Sequence, residues 1–249
     1  MLLKGKTAII TGARTGIGKA TVELMAQNGA NIWASIKEPN SEFEKSISDL
    51  AKKHNVWIKV IYMDLSDEES IKCSAKEIIN EKKKIDILIN AAGTVGVNRH
   101  FHMTNISEMR RVFEINFFGS IALTQIISRV MCKQQSGVIV NVASVAGIDG
   151  DPAQLEYSAS KAALINSTKK LASEFGTYGI RVNAVAPGLT DTKMLNEMVQ
   201  VIEAKVIARS IIKRRADPIE IANVILFLAS DMSSFITGQT IRADGGLMV

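Results

Sequence analysis

Short apolar runs alternate with amphipathic stretches along the chain, and this alternation predicts the fold. Seven runs rich in apolar and β-branched residues read as strands: TAIITG, NIWASI, VWIKVIYMD, IDILIN, GVIVNVAS, IRVNAVAPG and GQTIRADGG. Strands that alternate with amphipathic helices form a parallel sheet covered on both faces. We therefore predict an α/β fold: a single-domain, Rossmann-type, doubly wound parallel sheet of about seven strands with helices on both faces.

Length and composition fit one folded unit. With 249 residues, 47% of them hydrophobic, the chain can bury one large core. It shows no internal repeat, no cleavable signal pattern and no apolar run of the roughly 18 residues that a membrane span needs. Cys73 and Cys132 have neither the number nor the spacing of a disulfide framework. The expected location is the cytoplasm.

Charge and histidine content argue against several other functions. The net charge of +5 would suit an anionic ligand, but the basic residues are scattered rather than gathered into one stripe. His100 and His102 lie close together without a third ligand nearby. We expect no bound metal, no nucleic-acid partner and no membrane partner.

A glycine-rich turn, GARTGIG at residues 12–18, follows the first predicted strand and precedes an amphipathic helix. Glycines let the backbone turn tightly and approach a pyrophosphate, which would meet the free N–H groups and the positive end of the helix dipole. The spacing differs from the usual GxGxxG pattern. Taken alone, the turn is equally typical of a plain strand-to-helix connection.

The stretch NVASVAGIDGDPAQLEYSASK, residues 141–161, carries the strongest candidate chemistry. Tyr157 and Lys161 are spaced to project from one helix face, so the lysine could stabilise the anion of a phenol whose ordinary pKa is near 10. Ser144 ends a predicted strand, where its hydroxyl could donate a hydrogen bond to a substrate oxygen. An isolated YxxxK pair is more typical of an ordinary surface helix, so the surrounding sequence must decide.

Two further features lie between these motifs. Ala91, Ala92 and Gly93 end the fourth predicted strand, and their small size would let a flat ring or a ribose lie close to the sheet edge. A long helix is predicted from about Ser107 to Lys133, apolar on more than one face, as expected for burial between the sheet and another subunit. Asn116 in its middle would be costly to bury without a specific hydrogen-bonding task; a structural polar plug is the alternative.

Residues 189–215 combine an apolar surface with a basic rim next to a strand end, which is typical of a substrate lid. The apolar members are Met194, Leu195, Met198, Val199, Val201 and Ile202. The basic members are Lys193, Lys205, Arg209, Lys213, Arg214 and Arg215.

Taken together and in order, these motifs resemble the short-chain dehydrogenase/reductase family over essentially the whole chain. They are TGARTGIG, Asp64, NAAG at residues 90–93, Asn116, Ser144, YSASK and PGLTDT. The ending FITGQTIRADGGLMV and the general layout resemble the bacterial 3-oxoacyl-[acyl-carrier-protein] reductases. The resemblance implies that residues 1–249 form one dinucleotide-binding and catalytic domain, with the lid at about 189–215.

The resemblance also implies roles for individual residues. The implied catalytic residues are Asn116, Ser144, Tyr157 and Lys161. The implied cofactor-binding residues are Gly12, Arg14, Gly16, Ile17, Gly18, Lys37, Asp64, Leu65, Asn90, Ala91, Gly93, Tyr157, Lys161, Pro187, Gly188 and Thr192. Within these sets, Asp64 would contact the adenine, Asn90 would support the cofactor site and Thr192 would lie on the nicotinamide side.

This chain departs from the family pattern at three places. Ala91 stands where a second Asn is usual, and Thr15 where an Arg is frequent. Tyr178 stands where the acyl-carrier-protein reductases often have a basic residue, although Arg129 matches another basic position of that surface. The third departure weakens the expectation of a carrier-protein partner without removing it.

The implied function is NADP(H)-dependent reduction of a ketone to a secondary alcohol, with a 3-oxoacyl thioester of acyl-carrier protein or CoA as substrate. A sugar, polyol or other secondary-alcohol dehydrogenase is the alternative, and Asp149 and Asp151 would suit a polyol. A non-catalytic, cofactor-binding regulatory protein is an alternative of another class. A nucleotide-sugar epimerase of the extended type would need a longer chain.

NADP(H) is expected in preference to NAD(H) because of the end of the second predicted strand. An NAD enzyme usually places an acidic residue there to bind the ribose hydroxyls, and Ile36 stands at that position. Lys37 and Arg14 could instead bind the 2′-phosphate; the alternative is that both side chains face water.

A homo-oligomer, expected to be a tetramer, is also predicted. Family members usually pair through two helices, which correspond here to the long helix from about Ser107 and the helix that contains Tyr157.

Overall fold

The computed structural model describes residues 1–97, 99–192 and 200–248, and the side chains of residues 200–202 are not described. Seven strands form one sheet: β1 (Thr7–Ile10), β2 (Asn31–Ile36), β3 (Ile58–Tyr62), β4 (Ile87–Asn90), β5 (Gly137–Val142), β6 (Ile180–Pro187) and β7 (Thr240–Ala243). Their order across the sheet is β3-β2-β1-β4-β5-β6-β7. Every neighbouring pair is parallel.

Helices cover both faces of this sheet. They are α1 (Gly16–Gln27), α2 (Ser41–His54), α3 (Glu68–Asn80), α4 (Ile106–Phe113), α5 (Ser120–Gln134), α6 (Leu155–Phe175), α7 (Gln200–Arg209) and α8 (Pro218–Ala229). The predicted doubly wound parallel sheet of the Rossmann type is therefore confirmed.

The core consists of two layers because successive side chains of a strand point to opposite faces. Ala8 and Ile10 of β1 pack in the layer formed with α1 and α8, whereas Ile9 packs in the layer formed with α3 and α5. All four β1 residues are buried, so both faces of this central strand are covered. This explains why the strand runs are continuously apolar rather than alternating.

The predicted helix from Ser107 to Lys133 is continuous but not uniform. Between α4 and α5, residues Glu114–Gly119 form a π-helical turn that contains Asn116. Such turns are rare and often occur at functional sites. By length and composition, the whole stretch Ile106–Gln134 could also cross a membrane, a test that core helices of soluble proteins pass equally well.

The order of the strands reverses between β1 and β4, where one chain connection leads to β2 and the other to β5. In open parallel sheets, ligands bind in the crevice at such a reversal, beyond the carboxyl ends of the strands. The glycine-rich turn, the NAAG segment and Ser144 all follow strands at this edge. The topology therefore brings the separate sequence motifs together.

Candidate active site

One cleft of about 870 Å³ lies at this edge of the sheet and collects most of the predicted site residues. The predicted residues that line it are Gly12, Arg14, Gly16, Ile17, Gly18, Lys37, Ala91, Gly93, Ser144, Tyr157, Lys161, Pro187, Gly188 and Thr192. Asn116, Asp64, Leu65 and Asn90 are not among its lining residues. Each of these four has another position, described below.

The glycine-rich turn is packed too closely for larger residues. A Cβ atom on Gly12 would lie 2.8 Å from Ala92 Cα, and one on Gly18 would lie 2.2 Å from the Gly12 carbonyl oxygen. Gly12 and Gly16 also have φ values of +67° and +53°, which side chains rarely adopt. Close packing at all three glycines therefore leaves no room for a side chain in this turn.

The start of α1 fits a dinucleotide pyrophosphate. Its N-cap residue, Thr15, makes no side-chain capping bond, and its first turn carries no acidic residue. By contrast, Asn40 caps α2 and Asp67 caps α3 through their side chains. The first N–H groups of α1 thus lack the usual side-chain partner in a cleft lined by Arg14, which is the environment that favours a bound anion.

Ser144 is held at the end of β5 by its own hydroxyl oxygen. This oxygen accepts a hydrogen bond of 3.2 Å from the Ala146 backbone N–H, at the start of a 3₁₀ turn, Val145–Gly147. The accepting role leaves the Ser144 O–H free to donate. The same hydroxyl interacts with the phenol of Tyr157 and lowers its pKa, but burial has the larger effect and raises it. Tyr157 is therefore protonated near neutral pH.

Lys161 is buried below Tyr157. Its Nζ atom donates a 2.8 Å hydrogen bond to the Val142 carbonyl oxygen and lies 5.9 Å from the centre of the Tyr157 ring. Burial lowers the pKa of Lys161 to about 8. A Cβ atom on Gly93 would lie only 3.3 Å from this Nζ atom, so the absence of a side chain at residue 93 keeps the lysine accessible from the cleft.

Asn116 is fully buried and uses its side chain to hold the segment after β4. Its Oδ1 atom accepts from the Thr94 N–H at 2.8 Å, and its Nδ2 atom donates to the Thr94 carbonyl at 2.9 Å and to Ser160 Oγ at 3.0 Å. The side chain therefore links Thr94, which lies between the cleft-lining residues Gly93 and Val95, to α6, the helix that carries Tyr157 and Lys161. These hydrogen bonds give the buried side chain a specific task, and the catalytic role implied for Asn116 stays a prediction.

Three predicted cofactor residues occupy neighbouring positions outside the cleft lining. Asn90 is buried and donates to Thr124 Oγ1 at 3.0 Å and Asn141 Oδ1 at 2.8 Å. Leu65 is buried against Gly119, where a Cβ atom would lie 2.2 Å from the Leu65 carbonyl oxygen. Asp64 accepts from Ser66 and forms a 3.1 Å ion pair with Lys37. Their cofactor-binding roles stay predictions.

The substrate end of the cleft contains residues that the sequence did not single out for binding. Arg99, Gln154, Val206 and Leu247 line it, next to the predicted lid residues Lys205 and Arg209. Gln154 lies in the stretch 141–161 and Val206 in the predicted lid, but only the fold brings them beside Arg99 and Leu247, which come from two other segments. Residues 193–199 of the predicted lid lie outside the described residues.

Asp149 and Asp151 also line the cleft, but arginines bind both carboxylates. Asp149 accepts from Arg242 Nη1 at 2.7 Å and Nη2 at 2.8 Å, and Asp151 accepts from Arg209 Nη1 at 2.7 Å. The carboxylates are thus neutralised by pairing. Among the cleft-lining residues within the described ranges, Arg14, Arg99 and Lys205 form no ion pair.

Comparisons with known proteins agree with this geometry. A family model described as Enoyl-(Acyl carrier protein) reductase matches residues 12–248. The 3-oxoacyl-[acyl-carrier-protein] reductase FabG of Thermotoga maritima is 40% identical, over 100% of both chains. A 3alpha-hydroxysteroid dehydrogenase of Mediterraneibacter gnavus is 35% identical, over 98% of both chains.

A solved structure gives the same result. It is assigned as an NAD(P)-dependent gluconate 5-dehydrogenase from Beutenbergia cavernae and holds NADP at low occupancy. It superposes on this protein with a TM-score of 0.91 and 30% sequence identity, over 98% of this chain and 96% of that chain. All of these proteins are similar to this chain over nearly its whole length. The chain therefore belongs to the short-chain dehydrogenase/reductase family, whose members are oxidoreductases that use a nicotinamide cofactor.

Proposed function

We propose that this protein is an NADPH-dependent reductase that converts the ketone of a 3-oxoacyl thioester to a secondary alcohol. The observation that carries the proposal is the convergence of Ser144, Tyr157 and Lys161 in one cleft with an uncapped helix start and a glycine-rich turn. The first group of residues can polarise and protonate a carbonyl oxygen, and the second can hold a dinucleotide.

In the proposed reaction, the Ser144 O–H donates a hydrogen bond to the ketone oxygen and Tyr157 donates its proton to the same oxygen. The raised pKa of Tyr157 favours this direction, because it keeps the phenol protonated until the oxygen gains negative charge. A bound nicotinamide supplies the hydride for the carbonyl carbon. Ser144 thus orients the oxygen, and Tyr157 completes the alcohol.

Lys161 would contribute in two ways. Below its pKa of about 8 it is a buried cation close to Tyr157, and it favours the phenolate that remains after proton donation. Its ammonium could also hold the nicotinamide ribose from the cleft side. Asn116 would hold Thr94 at a fixed position relative to α6, so that the cleft lining beside Lys161 does not shift.

The charges at the substrate end support an anionic or carrier-bound substrate. Arg99 and Lys205 line this end without an ion pair among the described residues, whereas Asp149 and Asp151 are paired with arginines. Carboxylates are good acceptors for polyol hydroxyl groups, and the occupation of both Asp149 oxygens by Arg242 weakens the polyol alternative that the sequence left open. The FabG relatives are named as 3-oxoacyl-[acyl-carrier-protein] reductases.

A second candidate is the oxidation of a cyclic secondary alcohol. Two relatives at 35% identity are named a 3alpha-hydroxysteroid dehydrogenase and a cis-4-hydroxycyclohexanecarboxylate dehydrogenase. A cleft of about 870 Å³ is large enough for such ring systems as well as for an acyl chain. The two candidates differ in substrate shape and share the same catalytic residues.

The preference for NADPH is part of the same proposal. Ile36 at the end of β2 cannot accept hydrogen bonds from ribose hydroxyls, and it lines the cleft beside Arg14 and Lys37. Two cations and no free carboxylate at this place favour a 2′-phosphate.

We also propose that residues 1–249 act as one domain, with the lid at about 189–215. The protein would be a cytoplasmic homotetramer, and acyl-carrier protein would carry its substrate.

The test is a substrate panel with purified full-length protein. Acetoacetyl-CoA, acetoacetyl-acyl-carrier protein, a keto-gluconate, cyclic ketones and a 3-ketosteroid are each assayed for NADPH oxidation. We expect the highest kcat/KM for the two acetoacetyl thioesters, with a lower KM for the carrier-protein form. A marked preference for the sugar or for a ring ketone would contradict the proposed substrate while leaving the family chemistry intact.

A further inference from the structure

The loop that joins Ser144 to Tyr157 is tied to the carboxyl-terminal segment by a half-buried arginine. Asp149, whose side chain is 4% exposed, accepts two hydrogen bonds from the guanidinium of Arg242 on β7. Arg242 Nε also donates to Asp244 Oδ2 at 2.8 Å. The fork of one arginine thus joins Asp149 in the catalytic loop to Asp244 at the start of the terminal turn.

Asp149 lies one turn from the Ser144 hydroxyl and is connected to it by short contacts. The Asp149 N–H donates to the Val145 carbonyl at 2.8 Å, within the 3₁₀ turn whose Ala146 N–H holds Ser144 Oγ. A shift of Asp149 would therefore move the group that orients the Ser144 hydroxyl.

The same turn is pressed against the helix that carries the other two catalytic candidates. A Cβ atom on Gly147 would lie 2.7 Å from the Ala162 N atom and from the Lys161 carbonyl carbon, and Ser158 Oγ donates to the Ala146 carbonyl at 2.7 Å. The turn therefore sets the distance between the end of β5 and α6.

The loop needs such an anchor because its second half is strained. Ala153 and Gln154, just before α6, have φ values of +72° and +52°, a conformation that non-glycine residues adopt only when their surroundings impose it. The two hydrogen bonds from Arg242 hold Asp149, in the part of the loop nearer to Ser144. Arg242 is itself held by its place on β7, a strand of the sheet.

We propose that Asp149 and Arg242 are positioning residues of the reductase, which hold the Ser144 turn in register with Tyr157 and Lys161. They do not contact the reacting atoms and act through the 3₁₀ turn. At the other end, Asp244 accepts from the Gly246 N–H at 3.0 Å, and Leu247 lines the cleft. The pair therefore also couples the Ser144 turn to the terminal segment that forms part of the substrate wall.

The test compares Asp149→Asn and Arg242→Lys with a matched control, Asp86→Asn. Asp86 is similarly buried and paired, since it accepts from the Thr7 N–H at 2.9 Å and from Lys84 at 2.8 Å, but it does not line the cleft. The first readout is hydrogen–deuterium exchange of the Gly147, Ile148 and Asp149 amides, which bond to Ser144 and Val145 carbonyls. It needs neither substrate nor cofactor, so it is independent of the proposed function.

We expect these amides to exchange about tenfold faster in Asp149→Asn and Arg242→Lys, and at the wild-type rate in the control. The second readout is kcat with the ketone that wild type reduces fastest. We expect a loss of about 10- to 100-fold, with cofactor Kd within about threefold of wild type. Wild-type exchange at these amides, or a wild-type kcat in both folded variants, would overturn the proposal. Arg242→Lys keeps the positive charge, and it tests the proposal by itself if Asp149→Asn does not fold.

Discussion

The phenol of Tyr157 combines a buried setting with one hydrogen-bonding neighbour, Ser144. Burial raises its pKa and the serine lowers it by a smaller amount, so the group enters the reaction with its proton in place. Reduction of a ketone needs that proton, whereas alcohol oxidation would need its prior removal. The phenol therefore carries the proton that a ketone oxygen would accept.

Replacement of this phenol tests its role directly. We expect Tyr157→Phe to lower kcat by about 100-fold or more, because general acid catalysis contributes at least that factor. Cofactor Kd, measured by fluorescence titration, should stay within a few-fold, since the ring remains. A variant that retained a tenth of the wild-type rate would show that another group donates the proton.

The lowered pKa of Lys161 predicts a limit to activity at alkaline pH. The lysine is cationic below its pKa of about 8 and neutral above it, whereas an exposed lysine stays cationic to about pH 10. Because the neutral form cannot stabilise the Tyr157 phenolate, kcat/KM for the cofactor, which reports groups of the free enzyme, should fall as pH rises through about 8. Lys161→Arg should remove this particular step. A profile flat to pH 10 in wild type would contradict the assignment.

The two cations near the end of β2 are not equivalent. Lys37 is already paired with Asp64 at 3.1 Å, whereas Arg14 forms no ion pair with any described residue. A phosphate would have to compete with Asp64 for the lysine, so Arg14 should contribute more to NADPH preference. We expect Arg14→Ala to lower the NADPH/NADH ratio of kcat/KM by about 10- to 100-fold, corresponding to a charge-assisted bond of about 1.5 to 3 kcal/mol.

Lys37→Ala should have a smaller effect, and Asp64→Asn should strengthen NADPH binding by freeing the lysine. The measurement is steady-state kinetics with both cofactors for each variant. A larger loss in Lys37→Ala than in Arg14→Ala would show that the lysine contributes more to cofactor selection. A clear NADH preference in wild type would show that neither residue selects NADPH.

At the scale of elements, the contact between the glycine-rich turn and α1 determines where a dinucleotide can lie. Gly18 is on the first turn of α1, and a side chain there would overlap the Gly12 carbonyl at 2.2 Å. Since neither partner is a flexible side chain, Gly18→Ala should push α1 away from the turn, at a cost of about 1 to 3 kcal/mol. We expect cofactor Kd to rise about tenfold or more.

Gly176 provides the control for this substitution. A Cβ atom at residue 176 would have no neighbour within 4 Å, and its φ is not in the left-handed region. Gly176→Ala should therefore leave both cofactor Kd and the melting temperature close to wild type. Equal cofactor affinity in Gly18→Ala and wild type, measured by titration calorimetry, would mean that the turn can widen without cost.

At the scale of the whole molecule, several large apolar side chains lie uncovered on α4, α6 and the π-helical turn. Ile106, Phe118 and Leu155 are each about half exposed, at 58%, 52% and 46%. Exposed apolar surface of this kind marks an interaction site when it is contiguous. We therefore expect this helical face to form the interface of the predicted oligomer.

We expect light scattering at micromolar concentration to give about four times the chain mass of 27.1 kDa. Phe118→Gln should lower this mass if the helical face forms an interface. Tyr62→Gln alters a similarly exposed aromatic residue, 43% exposed, on the edge strand β3 and should leave the mass unchanged. A monomeric wild type would contradict the prediction.

The sequence by itself determined the fold class and the family. Short apolar runs such as IDILIN, alternating with amphipathic stretches, predicted strands of a parallel sheet covered on both faces, and the motifs predicted chemistry at the carboxyl edge of that sheet. These features are local: they follow from residue type and spacing within short segments. The predicted bounds of the long helix, about Ser107 to Lys133, were close to the observed stretch Ile106–Gln134 for the same reason.

Tertiary structure alone decided which charges are available and what each polar group contacts. Asp149 and Arg242 are 93 residues apart in the chain, so no local pattern could reveal that this arginine binds both oxygens of the Asp149 carboxylate. The pairing of Lys37 with Asp64 and the hydrogen bonds of Asn116 to Thr94 and Ser160 have the same origin. Electrostatic and hydrogen-bonding partners depend on distances of a few ångströms, and only the folded chain establishes those distances.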